Sequence, residues 1–272
     1  MGAKPARKSR AGGGSFAARV VRWQKQHGRH DLPWQKTRDA YRIWLSEIML
    51  QQTQVATVIP YYRRFLKRFP DIGSLAAARQ DDVLALWSGL GYYSRARNLH
   101  RAAQEMIARH ASRLPCDMES LLALPGIGRS TAAAIAVFAF GSRQAILDGN
   151  VKRFFARRFG IGGYPGDAKV AAALWRETER QLPARNIESY TQGLMDLGAT
   201  VCTRANPRCD ACPVAADCVA RSDDSIGKFP APRPRKLLPQ RRTQMLVLLH
   251  ANEVLLEKRA STGLWGGAME PA

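Results

Sequence analysis

Apolar residues recur at intervals of three and four along the chain from Ser15 to about Arg221, which is the pattern of amphipathic helices. Glycine or proline interrupts the pattern at intervals typical of ordinary helix lengths. The breaks lie at Gly28, Pro33, Pro70, Gly91, Pro115, Pro125, Gly141, Pro165 and Pro183. The pattern predicts about ten helices and no strand. Ser15, Asp81 and Asp167 stand where helix N-caps are expected.

The pattern changes after residue 221. Residues 222–243 contain four prolines and mixed charge, which predicts an extended linker. The segment MLVLLHANEVLLEKR at 245–259 has two β-type runs around Ala251 and Asn252 and predicts a hairpin. The residues that follow are too few to close a core with it.

The chain of 272 residues has a formal net charge of +20 and 46% hydrophobic residues, so it is long enough for one large or two modest globular domains with a strongly positive field. Residues 1–13 contribute four of these charges and residues 221–243 a further five, which leaves about +11 on the rest. Nucleic acid is the expected partner. No apolar run is long enough to cross a bilayer, and residues 1–14 resemble a disordered basic tail, so we expect a cytoplasmic protein without membrane contact.

Four of the five cysteines lie within 17 residues, at Cys202, Cys209, Cys212 and Cys218, with the spacing C-x6-C-x2-C-x5-C. This clustering predicts a metal centre. Structural zinc sites usually pair two short C-x2-C knuckles, and only one occurs in this segment. The spacing therefore favours an iron–sulfur cluster over zinc but leaves both open.

The segment LPGIGRSTAAAI at 124–135 places Gly126 and Gly128 in a tight turn between two helical patterns. The free backbone N–H groups at the start of the second helix can hold a phosphate. Many helical hairpins use proline and glycine for turn geometry alone, so this motif is only moderately specific. The excess of basic residues favours the phosphate-binding interpretation.

Two carboxylates are candidates for chemistry. Glu47 lies in WLSEIMLQQTQV, a helical pattern that is apolar nearly all round, and Gln51 and Gln54 extend its face as a polar strip that should line a cleft. Most helical glutamates are merely solvated, but burial would raise the pKa of Glu47 toward that of a general acid. Asp148 precedes a helix in LDGN, where an N-cap is the common explanation. A second carboxylate would complement Glu47 in cleavage of a glycosidic bond.

Six segments and their order resemble the MutY-type adenine DNA glycosylases of the helix-hairpin-helix superfamily, over about residues 15–267. They are LPWQ (32–35), WLSEIMLQQTQVATVIPYY (44–62), LWSGLGYYSRARNLH (86–100), LPGIGRSTA (124–132), ILDGNVKR (146–153) and the cysteine cluster. The resemblance implies a mostly α, two-module fold. One module, with the iron–sulfur loop, spans residues 15–34 plus 143–221, and a six-helix module with the hairpin spans 35–142.

The resemblance assigns Glu47 as the acid that protonates N7 of a flipped adenine. It assigns Asp148, supported by Asn150, as the carboxylate that stabilises the oxacarbenium ion or traps it covalently. Trp34 and Gln192 match residues that contact adenine. The residues that wedge into the duplex and probe the opposite base are Gln52, Thr53 and Tyr92. The expected phosphate contacts are Gly126, Gly128, Ser130, Lys152, Arg204 and Arg208. The four cysteines match the ligands of a [4Fe-4S] cluster.

The implied activity is base excision repair by a monomeric, nucleoid-associated enzyme acting on double-stranded DNA with adenine opposite 8-oxoguanine or guanine. Related bifunctional enzymes of the endonuclease III type carry a nucleophilic lysine at the position of Ser130, so a monofunctional glycosylase is expected. Family members continue into a complete Nudix-like domain, whereas residues 244–272 resemble only its truncated start. A bifunctional lyase and a non-catalytic binder of lesions remain the alternatives.

Overall fold

The computed structural model describes residues 14–235, 240, 242, 246–259 and 269–271. The chain divides into two compact units, with the boundary after Arg233. The N-terminal tail predicted for residues 1–14 lies outside the described residues apart from Gly14. Within the described ranges, no helix is both long and apolar enough to cross a membrane.

The first unit is helical, as predicted. Its described residues form α1 (Phe16–His27), α2 (Ala40–Met49), α3 (Val55–Arg68), α4 (Ile72–Ala76), α5 (Gln80–Trp87), α6 (Ser94–Arg109), α7 (Met118–Ala123), α8 (Arg129–Phe140), α9 (Gly149–Phe159), α10 (Ala168–Arg180), α11 (Ile187–Asp196) and α12 (Val219–Ser222). A 3-10 turn spans Pro33–Lys36, and a π-helical turn, Leu197–Val201, continues α11. No strand occurs between residues 14 and 235.

Two of the three predicted N-caps are confirmed. The side chain of Ser15 accepts a hydrogen bond from the N–H of Ala18 at the start of α1, and Asp167 accepts from two N–H groups of α10. The prediction for Asp81 is wrong. Because α5 already begins at Gln80, Arg79 is its N-cap and Asp81 lies inside the first turn, where an acidic residue still complements the helix dipole.

Two hydrophobic clusters form the interior of this unit. The first is built from α2 to α8 and contains the fully buried Trp44 and Trp87. The second is built around α1, α9 and α11. Helix α8 joins them, since Ile135 faces the first cluster and Ala134 the second. The helices of one cluster therefore cannot move independently of those of the other without exposing apolar surface.

Two details of the predicted modules differ from the structure. Residues 35–142 contain seven α-helices, α2 to α8, where six were expected. Trp34, which was assigned with α1, packs in the first cluster, with its ring edge-on to Tyr62 at a centroid distance of 5.4 Å. The 3-10 turn at Pro33–Lys36 carries Trp34 across to that cluster.

The predicted hairpin is formed by α7, a turn and α8. Gly126 has a φ of +80°, which favours glycine, and a Cβ there would lie 2.9 Å from Cβ of Asn98. Gly128 is the N-cap of α8. The turn therefore needs glycine at position 126 for both backbone and packing reasons.

The linker begins later than the predicted residue 222. The first unit continues to Arg233 because the chain stays packed on α9 and the loop after it. The Nε of Arg157 donates to the carbonyl of Phe229 at 2.9 Å, and the N–H of Ala231 donates to the carbonyl of Gly163 at 3.2 Å. A proline-rich composition did not prevent this segment from docking.

The second unit contains the predicted hairpin. Strand β1 (Leu249–His250) pairs antiparallel with β2 (Glu253–Val254) across a turn at Ala251 and Asn252. A second antiparallel pair, β3 (Leu256–Lys258) with β4 (Met269–Pro271), was not predicted.

Candidate active site

A large cleft in the first unit is lined by residues from the elements of both hydrophobic clusters. Nine of the predicted site residues line it: Trp34, Glu47, Gln52, Thr53, Gly128, Ser130, Asp148, Asn150 and Gln192. The predicted residues that do not line it are Tyr92, Gly126, Lys152, Arg204, Arg208 and the four cysteines. The structure therefore brings both candidate carboxylates into one cleft, although they are far apart in sequence.

Glu47 reaches the cleft from α2. The neighbours of this residue on the helix, Trp44, Leu45 and Ile48, are buried in the first cluster, and only the face with Glu47 opens to the cleft. Burial and, to a smaller extent, the nearby negative charge of Asp148 together raise the pKa of Glu47 from an ordinary 4.5 to about 8. Glu47 is therefore largely protonated at neutral pH.

The polar strip beside Glu47 was predicted to be helical, but it lies outside α2. Helix α2 ends at Met49, with Leu50 as its C-cap, so Gln51 and Gln54 lie in the turn before α3. Both still line the cleft. The amide of Gln51 donates to Oγ1 of Thr131 at 3.2 Å and so ties this turn to α8.

Asp148 is the N-cap that the sequence allowed, and it also lies in the cleft. Its side chain caps α9 and accepts the N–H of Val151 at 2.7 Å. Burial raises its pKa, while hydrogen bonds from the N–H groups of Val151 and Asn150 and the charges of Arg153 and Lys152 oppose that rise. Ser130 holds the chain segment directly before Asp148, because its Oγ accepts a hydrogen bond from the N–H of Leu147 at 3.0 Å.

Asn150 is held by Arg153, a residue that the sequence did not single out. The guanidinium of Arg153 donates to Oδ1 of Asn150 at 2.9 Å, to the carbonyl of Gly198 at 2.6 Å and to the carbonyl of Cys202 at 2.8 Å. A Cβ at Gly198 would lie 2.5 Å from Cβ of Asn150, so α9 and the π-helical turn meet too closely for any other residue. The i,i+3 spacing of Asn150 and Arg153 was the available signal.

Gln192 is held by a second pair that the sequence did not single out. Its Nε2 donates to Oδ1 of the buried Asp196 at 2.9 Å. Arg29 contacts the same carboxylate through its guanidinium at 2.7 Å and its backbone N–H at 2.9 Å. The i,i+4 spacing of Gln192 and Asp196 indicated this contact, but nothing local indicated Arg29.

The predicted wedge residues lie at two loop tips. Gln52 is exposed and has a φ of +60°; Tyr92 is 58% exposed and has a φ of +50°. Thr53 is partly buried, and its Oγ1 accepts a hydrogen bond from Arg95 at 3.0 Å. Both exposed residues have a left-handed backbone conformation, which is uncommon for residues other than glycine.

The four cysteines surround one small cavity, which Arg157 and Arg158 also line. Arg157 donates to Sγ of Cys202 at 3.5 Å. Burial, with smaller contributions from the neighbouring cysteines, raises the pKa of the Cys212 thiol to about 11. No three Cys, His, Asp or Glu side chains of the described residues are close enough together to hold a single metal ion.

Arg204 and Arg208 lie in the cysteine loop and are exposed. The guanidinium of Arg208 donates twice to the carbonyl of Thr200, at 2.7 and 3.2 Å, which fixes its stem against the π-helical turn. Arg204 and the rest of the Arg208 fork face solvent.

The fold has known counterparts. A model of the HhH-GPD superfamily of base excision DNA repair proteins matches residues 45–180. A thermostable thymine-DNA glycosylase aligns with a TM-score of 0.69 and 27% identity over 76% of this chain and 95% of its own. Endonuclease III in a non-covalent DNA complex aligns with a TM-score of 0.63 and 20% identity over 75% of this chain and 94% of its own, which shows the shared fold. The helical fold is thus that of the HhH-GPD class.

Sequence relatives narrow the class. The adenine DNA glycosylase of Buchnera aphidicola subsp. Acyrthosiphon pisum (strain APS) is 41% identical over 250 residues, which is 92% of this chain and 71% of that protein. The adenine DNA glycosylase of Homo sapiens is 41% identical over 216 residues, 76% of this chain and 39% of the human protein. The chain belongs to the adenine DNA glycosylases of the HhH-GPD superfamily.

Proposed function

We propose that this protein removes adenine from double-stranded DNA as a monofunctional glycosylase, with Glu47 as the general acid and Asp148 as the carboxylate that stabilises the sugar cation. The observation that carries the proposal is the pairing of these two carboxyl groups in one cleft, in different environments. The presence of both argues against a protein that only binds lesions.

The two environments suit the two roles. Glu47, with its pKa raised to about 8, keeps the proton that N7 of adenine needs to become a good leaving group. Asp148 lies at the positive N-terminal end of α9 and accepts its N–H groups, which favours the anion. An anion beside C1′ lowers the energy of the oxacarbenium ion that forms when the N-glycosidic bond breaks. Water then adds to C1′ and leaves an abasic site.

Gln192 and Trp34 support recognition of adenine. An ionised carboxylate only accepts hydrogen bonds, so the contact with Asp196 assigns Nε2 of Gln192 to that side and leaves Oε1 available to the cleft. A carbonyl oxygen accepts from the exocyclic amino group of adenine and repels the O6 of guanine or hypoxanthine. Trp34, only 8% exposed, offers an aromatic surface in the same cleft.

The proposed contacts with the DNA backbone come from the hairpin turn and from four further residues. They are Gly126 and Gly128 in the turn, and Ser130, Lys152, Arg204 and Arg208. Free N–H groups at the start of α8 and exposed guanidinium groups are both suited to phosphate. Gln52, Thr53 and Tyr92 are the proposed wedge that enters the duplex while the target base is extruded. As the family relationship implies, we propose a monomer that works on the chromosome.

The donor set of the cysteine cavity fits a [4Fe-4S] cluster. All four cysteines line one cavity, and cysteine thiolates are the ligands that hold such clusters. Cys202, Cys209, Cys212 and Cys218 would hold it, and Arg157 and Arg158 would balance the negative charge of the thiolates. The cluster would supply structural cross-links to the loop with Arg204 and Arg208. Iron analysis with a visible spectrum tests this, and one tightly bound zinc without iron would refute it.

The experiment that tests the proposed activity uses a duplex with one adenine opposite 8-oxoguanine, the partner base that the family relationship favours, and a second duplex with adenine opposite guanine. After incubation, the strands are resolved with and without alkali. Excision followed by cleavage only after alkali is expected, because Ser130 cannot form the Schiff base of a lyase. Efficient nicking without alkali would favour the bifunctional alternative, and an intact adenine strand in both lanes would leave a lesion binder.

A further inference from the structure

Arg95 is a buried cation at the start of α6 that contacts two separate loops. It is 7% exposed. Towards the segment after α2, its guanidinium donates to the carbonyls of Ile48 at 3.1 Å, Met49 at 2.7 Å and Gln51 at 2.6 Å and to Oγ1 of Thr53 at 3.0 Å. Towards the segment before α6, it donates to the carbonyls of Leu90 at 3.3 Å and Gly91 at 3.2 Å.

Two of the contacted carbonyls, those of Gln51 and Gly91, belong to residues directly before a left-handed backbone conformation. Gln51 precedes Gln52, which has a φ of +60°, and Gly91 precedes Tyr92, which has a φ of +50°. The carbonyl that Arg95 holds in each case belongs to the peptide that sets that φ angle. The guanidinium also lies 5.5 Å from the centre of the Tyr92 ring and 5.3 Å from that of Trp87. One side chain thus fixes both loop tips and packs against one of the two exposed side chains.

The chemistry of the side chain explains why arginine is suited to this place. A planar guanidinium offers five donors in a fixed fork, so it satisfies carbonyls on two sides at once, whereas an ammonium group is a single compact centre. The carbonyls of Ile48 and Met49 lie at the C-terminal end of α2, where a positive charge is favoured. Among the described residues, the hydrogen bonds of Arg95 go to carbonyl and hydroxyl oxygens, with no carboxylate to compete for the fork.

We propose that Arg95 is a positioning residue that joins the Gln52 and Tyr92 loop tips into one preformed wedge. The proposal rests on the proposed function, in which these two side chains enter the duplex. A wedge that is rigid before it meets DNA does not have to be ordered during extrusion of the base, so Arg95 acts on base extrusion and leaves bond cleavage to Glu47 and Asp148.

The test separates extrusion from cleavage. Arg95→Lys keeps the charge but cannot bridge both loops. Single-turnover excision is measured on adenine in a fully paired duplex and on adenine opposite an abasic site, where part of the stacking is already lost. We expect a loss of about tenfold to a hundredfold on the paired duplex and less than threefold on the second substrate. Equal losses on both substrates would show that Arg95 acts on the catalytic residues, and no loss on either would show that the wedge does not need it.

A second readout does not depend on cleavage. In the Glu47→Gln background, the fluorescence of 2-aminopurine next to the target adenine increases when the bases unstack. Arg95→Lys should slow or diminish this increase in fluorescence. An unchanged signal would overturn the proposal. Arg101→Lys, an exposed arginine on the same helix, is the matched control and should behave as the parent does. If Arg95→Lys fails to fold by circular dichroism, Arg95→Gln, whose single amide can donate to one of the two loops but not to both, should show the same substrate dependence. A parent without excision on either duplex would refute the proposed function and not this assignment, which the fluorescence measures separately.

Discussion

The two walls of the cleft each present a carboxyl group, and the surroundings of the two groups differ. On the α2 wall, Glu47 is surrounded by buried apolar neighbours, and no donor among the described residues contacts its carboxyl group. On the α9 wall, Asp148 caps a helix and accepts backbone N–H groups, with Arg153 and Lys152 nearby. Burial raises both pKa values, but only Asp148 has groups that oppose the rise. The proposed acid and the proposed anion therefore differ in their surroundings: Glu47 lies on a buried apolar helix face, and Asp148 lies at a helix N-terminus with cations nearby.

Glu47→Gln gives the largest expected effect. The amide keeps the shape of the side chain but has no proton to give to N7, so excision should fall by at least ~10³-fold, near the upper range for loss of a general acid. Single-turnover assays measure the rate, and mismatch affinity by electrophoretic shift should stay nearly unchanged. Residual excision within tenfold of the parent would remove Glu47 from the acid role.

Asp148→Asn separates chemistry from capping on the other wall. Asparagine is as good an N-cap as aspartate, so the free energy of unfolding should change by less than ~0.5 kcal/mol, while the lost negative charge should slow excision by roughly 10²-fold. Asp148→Ala is the control that loses both and should also unfold more easily. If the asparagine variant excises as fast as the parent, Asp148 is a cap alone.

The pH dependence of excision should follow the α2 wall. Only protonated Glu47 donates, so kcat/KM should fall about tenfold per pH unit once the pH exceeds the raised pKa of about 8. Rates between pH 6 and 10, with DNA binding measured in parallel, check this. A profile that is flat across pH 8, or a decline that begins near pH 5, would contradict the protonated acid.

Asp196→Asn should loosen base selectivity by roughly tenfold. With a neutral amide at 196, Gln192 is free to turn its NH2 toward the cleft and accept hypoxanthine, whose O6 replaces the amino group of adenine. The ratio of excision rates on adenine and hypoxanthine duplexes is the measurement. Gln192→Ala is the control that should slow excision of adenine without selecting hypoxanthine, and an unchanged ratio in Asp196→Asn would exclude the orienting role.

Ionisation of Glu47 should also lower the stability of the protein. The folded-state pKa of Glu47 lies above its ordinary value of 4.5, so its contribution to stability is complete below pH 4.5 and is lost as the pH rises through about 8. Glu47→Gln lacks this loss and should become more stable than the parent by about 2 to 4 kcal/mol at pH 8 and by little at pH 5. Urea unfolding at both pH values measures the difference. A gain that is the same at both would show that the cost of Glu47 is not ionisation.

Local patterns in the sequence determined much of the secondary structure of this protein. Helical periodicity predicted the first unit, the Pro and Gly turn predicted the α7–α8 hairpin, and alternation around Ala251 and Asn252 predicted the C-terminal hairpin. These features depend on residues within a few positions of one another. Two expectations were wrong. The N-cap of α5 is Arg79, two residues before Asp81, and the first unit extends beyond 222 because docking of Phe229 depends on a distant residue, Arg157.

Only the tertiary structure decided which distant residues meet. Asp196 with Arg29, and Arg153 with the carbonyl of Cys202, join segments whose spacing carries no periodic signal. The pKa of Glu47 is likewise a property of the assembled cleft, because desolvation depends on what the whole fold packs around a side chain, and the charge of Asp148 reaches it only after α9 has docked. Sequence spacing determines what lies on one helix face, but burial and long-range contacts arise from the packing of all the helices together.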